Sequence, residues 1–392
     1  MTRDTISYIG LLSANTLLGA AMPMLIILGG LAGLMLAPSP ALATFPPSVQ
    51  TLAGLVAAGP FSLLMGRFGR RFGFVVGGVL ASIGGIMGLV ALFQSSFVLL
   101  CAAHMALGAA LACFNYFRFA AAEVVPERWQ PVAISLMLTS GLIAAFVGPQ
   151  LFIVAKDLFA PVPLAGAYAA ISVLCLVGLL PLLAVRINGA GPAPAKLNLR
   201  ASAAMMARRE VWIAVLMAAT STGVMVLLMA PTPLAMVSCG LSETLAGDVI
   251  RWHVVAMFAP SFFTGFAIKR FGARVIVGLG LALLGLSALW AASGLTPTHF
   301  YGALIVLGLG WNFGFIGATT MLTAATAPEE RAVVQGANDT VVALVATLCA
   351  FGGGAIVAGF GWAVLALAAL PILGASLAAL LWPQLRVTET SP

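Results

Sequence analysis

The sequence predicts an all-α membrane protein of twelve transmembrane helices in two six-helix halves. Three observations predict it. The 392 residues are 62% hydrophobic and 7% charged, with mean hydropathy +1.12. A soluble domain of that size could not hide so much apolar surface from water. Apolar runs long enough to cross a bilayer as helices, about twenty residues each, recur along the whole chain with short polar breaks. A loop motif also returns after about half the chain. The runs are continuous and rich in Leu, Ala and Gly, whereas an outer-membrane barrel would alternate apolar and polar residues in strands of about ten.

The predicted spans cover 8–36, 47–66, 73–94, 97–120, 131–154, 163–185, 209–231, 245–268, 275–294, 299–325, 333–357 and 360–383. The first is too long for the apolar core of a secretory leader and no cleavage site follows it, so it is read as retained. In this arrangement Arg3, Arg67, Arg70, Arg71, Arg128, Arg186, Lys196, Arg200, Arg208, Arg209, Lys269, Arg270, Arg274, Arg331 and Arg386 fall on one side. The positive-inside rule makes that side the cytoplasm, with both termini on it, as in a multi-pass protein of the bacterial inner membrane. Lys156 and Arg251 are exceptions on the outer side, and Arg118 sits at the inner end of the fourth span. The net charge of +7 thus follows topology, with the lipid bilayer as partner and no nucleic acid implied. The five cysteines, Cys101, Cys113, Cys175, Cys239 and Cys349, stand singly and suggest no disulfide framework.

Arg67-Phe68-Gly69-Arg70-Arg71 lies between spans two and three, and Arg270-Phe271-Gly272-Ala273-Arg274 between spans eight and nine, an offset of 270 − 67 = 203. Pro126-Glu127-Arg128 and Pro328-Glu329-Glu330-Arg331 repeat with the same offset between Arg128 and Arg331. The echo marks a parallel duplication. It divides the chain into an N-terminal half, 1–186, a linker, 187–208, with Gly191-Pro192-Ala193-Pro194, and a C-terminal half, 209–392.

These residues resemble the major facilitator superfamily, whose loop between helices two and three reads Gly-x-x-x-Asp-Arg-x-Gly-Arg-Arg. Arg67, Gly69, Arg70 and Arg71 match, while Ser62 takes the place of the first Gly and Gly66 that of the Asp. In the second copy Gly265 keeps the Gly and Lys269 replaces the Asp. The resemblance implies the twelve-helix major facilitator fold and a gating role for the loop residues, without the usual loop carboxylate.

Candidate chemistry lies where ionisable or ligating side chains enter the membrane. Span seven carries Met225-Val-Leu-Leu-Met229 and span eight His253-Val-Val-Ala-Met257. The i, i+4 spacing puts each pair on one helix face. The two helices run in opposite directions, and a rise of 1.5 Å per residue places Met225 and His253 at similar depth, with Met229 above and Met257 below. Thioethers suit Cu(I) and imidazole suits copper in either oxidation state, whereas hard cations want oxygen. Met is also an ordinary core filler, and composition alone gives about 0.6 Met-x-x-x-Met pairs by chance against about 0.1 for His-x-x-x-Met.

The same four residues resemble the paired motifs of bacterial CcoA-type copper importers, which supply copper for assembly of cbb3-type cytochrome c oxidase. That resemblance implies copper as a transported substrate and no permanently bound cofactor, with cytoplasmic copper chaperones as candidate partners. RfnT-type riboflavin importers share the general look of these proteins.

Further candidates for metal entry are Cys101, His104 and Met105 in span four and Met236 and Cys239, placed in the outer loop after span seven. Each also has an ordinary packing or loop reading. Arg67, Gly69, Arg70, Arg71, Arg118, Glu123 and Asp339 are candidates for gating or coupling, and Asn115 and Asn312 occupy comparable places in spans four and ten. Gly141 and Gly148-Pro149 resemble the glycine-proline pattern of the superfamily's antiporters. No phosphate loop, nucleophile triad or paired carboxylate site is present, so neither ATP drive nor catalysis is expected. The expected function is copper import by alternating access. The alternatives are transport of a small organic solute such as riboflavin or a drug, and copper binding by an assembly factor without transport.

Overall fold

The computed structural model describes residues 3–126, 129–187, 204–327 and 330–382, and among them every regular element is helical. The N-terminal helices are α1 (Arg3–Gly19), α2 (Ala21–Leu36), α3 (Phe45–Phe68), α4 (Arg70–Phe93), α5 (Phe97–Phe114), α6 (Phe117–Glu123), α7 (Gln130–Ala155) and α8 (Ala165–Leu179). The C-terminal helices are α9 (Arg209–Met229), α10 (Thr232–Ser238), α11 (Glu243–Phe258), α12 (Ser261–Phe271), α13 (Ala273–Ala292), α14 (Pro297–Ala324), α15 (Arg331–Phe360) and α16 (Trp362–Leu381). Short 3₁₀ turns lie at Pro40–Leu42 and Leu180–Ala184.

Among the described residues ten helical segments are long and apolar enough to cross a membrane, or eleven if α11 and α12, bent by 41°, form one span. The predicted span 131–154 corresponds to α7, of which Ser140–Ala155 is apolar but short. Spans one, four and seven are each built from two helices (α1–α2, α5–α6, α9–α10). Pro231 marks the last break, since its ring denies the helix a backbone donor. The seventh span therefore reaches past 231, and Met236 is buried in α10 rather than held in a loop. The linker lies largely outside the described residues, as do Glu127, Arg128, Pro328 and Glu329 of the second repeat.

The first repeat survives in backbone detail. Gly69 (φ +89°, ψ 156°) and Gly272 (φ +86°, ψ 148°) join their flanking helices in the same conformation, which a side chain would strain. Helix pairings also repeat. The packing of α3 on α5, α4 on α5 and α4 on α8 returns as α11 on α14, α13 on α14 and α13 on α16.

Among the described residues, the main contacts between the two sets of helices gather toward one end of the bundle. Arg67, Arg70, Arg209 and Arg274 mark what we term the basic end; Arg274 bonds the Leu380 carbonyl and Arg209 that of Trp382 (3.1 Å). Contacts between the sets lie toward the opposite end: α2 packs on α10 and α11, α3 on α15, and α7 on α11. Phe45 meets Phe351 (5.6 Å, edge-on) and Phe146 meets Trp252 (6.3 Å, edge-on). The innermost of these named contacts places Gly141 of α7 against the ring of Phe258, where an added Cβ would lie 3.8 Å away. Helix α12, nearer the basic end than that level, packs on α13 and α14 of its own half.

Candidate functional site

Helix α14 serves as a ruler for the two ligand motifs, because α9 and α11 both pack on it. Trp311 Nε1 donates to Thr222 Oγ1 of α9 (3.3 Å). One turn outward on each helix, Met225 comes level with Leu307 and Gly308. His253 of α11 meets that same stretch: its Nδ1 lies 2.7 Å from the Leu304 carbonyl oxygen. A Cβ added to Gly308 would stand 2.6 Å from the His253 carbonyl oxygen and 3.0 Å from the Met257 nitrogen. Glycine at 308 is what lets α11 approach so closely. Met225 and His253 thus share a depth, with Met229 farther from the basic end and Met257 nearer to it, which is the order read from the helix rise.

All four side chains are buried: Met225, Met229 and Met257 are 4–7% exposed and His253 is at 0%. A carbonyl oxygen only accepts, so the ring proton of neutral His253 sits on Nδ1 and Nε2 presents its lone pair. That Nε2 is buried with no hydrogen-bond partner. A histidine held through one nitrogen by a backbone carbonyl, with the other left over, has the orientation that metal-ligating imidazoles adopt. Among the described residues no three His, Cys, Asp or Glu side chains converge, so the donors available here are thioethers and this single imidazole.

The bend at the inner end of α11 is organised by Asn312, fully buried on α14. Its Nδ2 donates to the Met257 carbonyl (2.7 Å) and to Ser261 Oγ (2.8 Å), and its Oδ1 accepts from Thr264 Oγ1 (2.7 Å). Asn312 therefore bridges helices, whereas Asn115 is exposed. Replacing Asn312 by Leu strands a carbonyl and a hydroxyl, and we expect a loss of about 2–4 kcal/mol in stability, summed over bonds of about 1 kcal/mol and the unmet groups. The thermal midpoint of purified protein checks it.

Directly inward of Met257 stands an aromatic group absent from the sequence reading. Phe258 packs edge-on to Trp311 (6.1 Å), and Trp311 stacks on Phe315 (5.1 Å, 9°). Trp311 and Phe315 at i, i+4 were a visible signal, but the partnership with Phe258 depends on tertiary packing. The three rings lie at the level where Phe258 also meets Gly141 of the other half.

The other candidates do not gather into one site. His104 is fully buried with both nitrogens engaged, Nδ1 with Gln50 Oε1 and Nε2 with Tyr168 Oη, each at 2.8 Å. It has no spare lone pair for capturing metal at the surface, which corrects that expectation. Cys101 is partly exposed, while Met105 is 51% exposed and, as the next residue in α5, does not share the buried surroundings of His104. Cys239 is exposed at the end of α10.

At the basic end Arg70 pairs with Glu123 (2.6 Å) and lies over the ring of Tyr116 (5.9 Å). This carboxylate comes from the fourth span of the same half, so the tie does not cross between halves. Arg67 lies over Phe68 (5.2 Å). Arg71 shares the turn closed by Gly69, and the Arg118 side chain lies outside the described residues. Asp339 is exposed on α15, two turns from its start, and accepts from Asn338 Nδ2 (3.2 Å).

A two-fold repeated helical bundle whose halves pack together at one end, with polar groups buried at mid-depth, is the architecture of a secondary transporter. The profile of the Major Facilitator Superfamily matches residues 211–392. The riboflavin transporter RfnT of Brucella anthropi is 36% identical over 359 residues, covering 91% of this chain and 90% of that protein. The uncharacterized MFS-type transporter YdeG of Bacillus subtilis is 29% identical over 382 residues, 93% of this chain and 87% of that protein. Among solved structures, the nucleoside transporter NupG superposes with a TM-score of 0.70 over 98% of this chain and all of that one, at 15% identity. An inward-facing, occupied bacterial homologue of the human lysosomal transporter Spinster superposes with a TM-score of 0.70 over 95% of both chains, at 16% identity. The chain belongs to the major facilitator superfamily.

Proposed function

We propose that this transporter imports copper across the bacterial inner membrane, with the basic end in the cytoplasm and residues 1–186 and 209–392 rocking as two bodies about the site. The observation that carries the reading is His253 Nε2, a buried lone pair without a partner, on a residue that comes level with Met225 along α14. Soft neutral donors of this kind hold Cu(I) exchangeably and offer little to hard cations. Met229 and Met257, outward and inward of that level, supply successive thioethers for entry and release.

A second reading is an organic solute, and the named relative favours it: RfnT is a riboflavin transporter, and none of the relatives described above is named for copper. The stacked Trp311 and Phe315 with Phe258 form a surface that suits a planar ring system. The two readings separate in one experiment. Cells lacking their own copper and riboflavin importers, expressing this chain, are given radiolabelled copper or riboflavin. Copper accumulation with no riboflavin uptake supports the first reading. Riboflavin uptake alone overturns it, and binding of copper without flux would make the protein an assembly factor.

A further inference from the structure

The two basic residues that stand on the sparsely charged end, Lys156 and Arg251, are also the two that tie the halves together there. Lys156 Nζ, at the end of α7, contacts Asp157 Oδ2 (2.7 Å) beside it and Glu243 Oε2 (3.7 Å) of α11 in the other half. Arg251 Nη2, on α11, donates to Gln150 Oε1 of α7 (3.2 Å). Its Nη1 is held by Asp248 Oδ1 (2.7 Å), and Asp248 is held in turn by the Tyr301 hydroxyl of α14 (2.6 Å). Tyr301 and Asp248 thus aim the guanidinium across the interface from within one half.

We propose that Lys156 and Arg251, with Glu243 and Gln150 as their partners, form the latch that keeps the outer end closed, and so set the balance between the two states of the transport cycle.

Three features support this role. Basic residues are scarce on this side of the chain, so two of them meeting partners across one helix pair is a concentrated use of charge. The hydrogen bond with Asp157 and the nearby Glu243, outweighing partial burial, hold the Lys156 ammonium above its ordinary pKa, which keeps it charged. Finally, Arg251 Nε is buried without a partner, so the guanidinium is incompletely satisfied when closed, and releasing it forfeits little. A latch of modest strength is what a cycling transporter requires, because a cargo can shift the equilibrium only by its differential affinity for the two states. The apolar contact of Phe146 with Trp252 lies at the same level and supplies closure without charge.

The latch rests on the superfamily membership and not on the identity of the cargo, and its test needs no cargo. Spin labels are placed at Leu158→Cys and Thr244→Cys, exposed positions on the two sides of the outer end, in full-length protein whose five native cysteines are replaced. Pulsed electron resonance in lipid nanodiscs then reads their separation. A single short distance is expected with Lys156 and Arg251 intact. In Lys156→Gln and in Arg251→Gln a second, longer population should appear, and in the double variant it should be at least tenfold enriched relative to the short one. Asp248→Asn, which removes the group aiming Arg251, should resemble Arg251→Gln. Distances unchanged in every variant would overturn the proposal, even if uptake of copper or riboflavin were lost. Enrichment of the open population with no uptake of copper would leave the latch standing and remove the cargo reading instead.

Discussion

Replacing His253 by Leu is expected to lower copper uptake at least tenfold while leaving protein abundance and thermal midpoint nearly unchanged. The two effects separate because of how the ring is bonded. Folding uses only Nδ1, through one hydrogen bond to Leu304, and losing a single such bond costs about 1 kcal/mol. Leucine fills most of the same volume, so little cavity is left behind. The Nε2 lone pair contributes no bond to the fold, and its removal deletes the one imidazole donor at the level of Met225. A tenfold loss corresponds to about 1.4 kcal/mol, modest for a metal–ligand contact. Met225→Leu should act in the same direction, and Met229→Leu less strongly, because that thioether lies off the shared level. Uptake by His253→Leu equal to that of the unmodified protein would remove the copper reading.

A large effect on folding is expected at Gly108. Helices α3 and α5 touch backbone to backbone there, and a Cβ on residue 108 would fall upon the Gln50 carbonyl oxygen. A backbone atom cannot rotate aside as a side chain can. Gly108→Val should therefore cost at least about 3 kcal/mol, the upper end of ordinary overpacking, and sharply reduce the folded protein recovered from membranes. Gly59, also on α3, has nothing within 4 Å of its would-be Cβ. Gly59→Ala should be neutral or stabilising by up to about 1 kcal/mol. Thermal midpoints by size exclusion distinguish the pair, and equal behaviour of the two variants would contradict the close approach of α3 and α5. Displacing Gln50 would also loosen its bond to His104, coupling this contact to the buried His104–Tyr168 link.

The spans were legible because lipid leaves the backbone few choices: a run of about twenty apolar residues must close its own hydrogen bonds as a helix. The repeat was legible because two copies of Arg-Phe-Gly need the same glycine conformation, and Gly69 and Gly272 share it. The depth match between Met225 and His253 followed from helix rise alone. What escaped depended on residues far apart in the chain. His104 is saturated by Gln50 and Tyr168, 54 and 64 residues away, and no local pattern foretells that. Glu123 supplies Arg70 with a carboxylate from another helix, a role that the loop motif by itself could not reveal. The bend between α11 and α12 had a local sign in Pro260, but its brace, Asn312, is contributed by α14. Phe258 likewise looked like one apolar residue among many until Trp311 and Phe315 were placed beside it.

The one-ended contact between the halves has an electrical consequence. In the proposed orientation, with the basic end in the cytoplasm, the outer closure reaches inward as far as Gly141, which lies about 16 Å from the start of α7 at 1.5 Å per residue. In the proposed inward-open state, water reaching that level from the basic end conducts, so the potential across the membrane falls mainly over the closed outer section. A monovalent cation crossing that section gains or loses close to the full work of the field, about 2.3 kcal/mol per 100 mV. A neutral solute gains none through its own charge. Membrane voltage should therefore drive inward movement of a copper ion and leave a neutral flavin nearly indifferent, with the dependence concentrated in the step that opens the outer end.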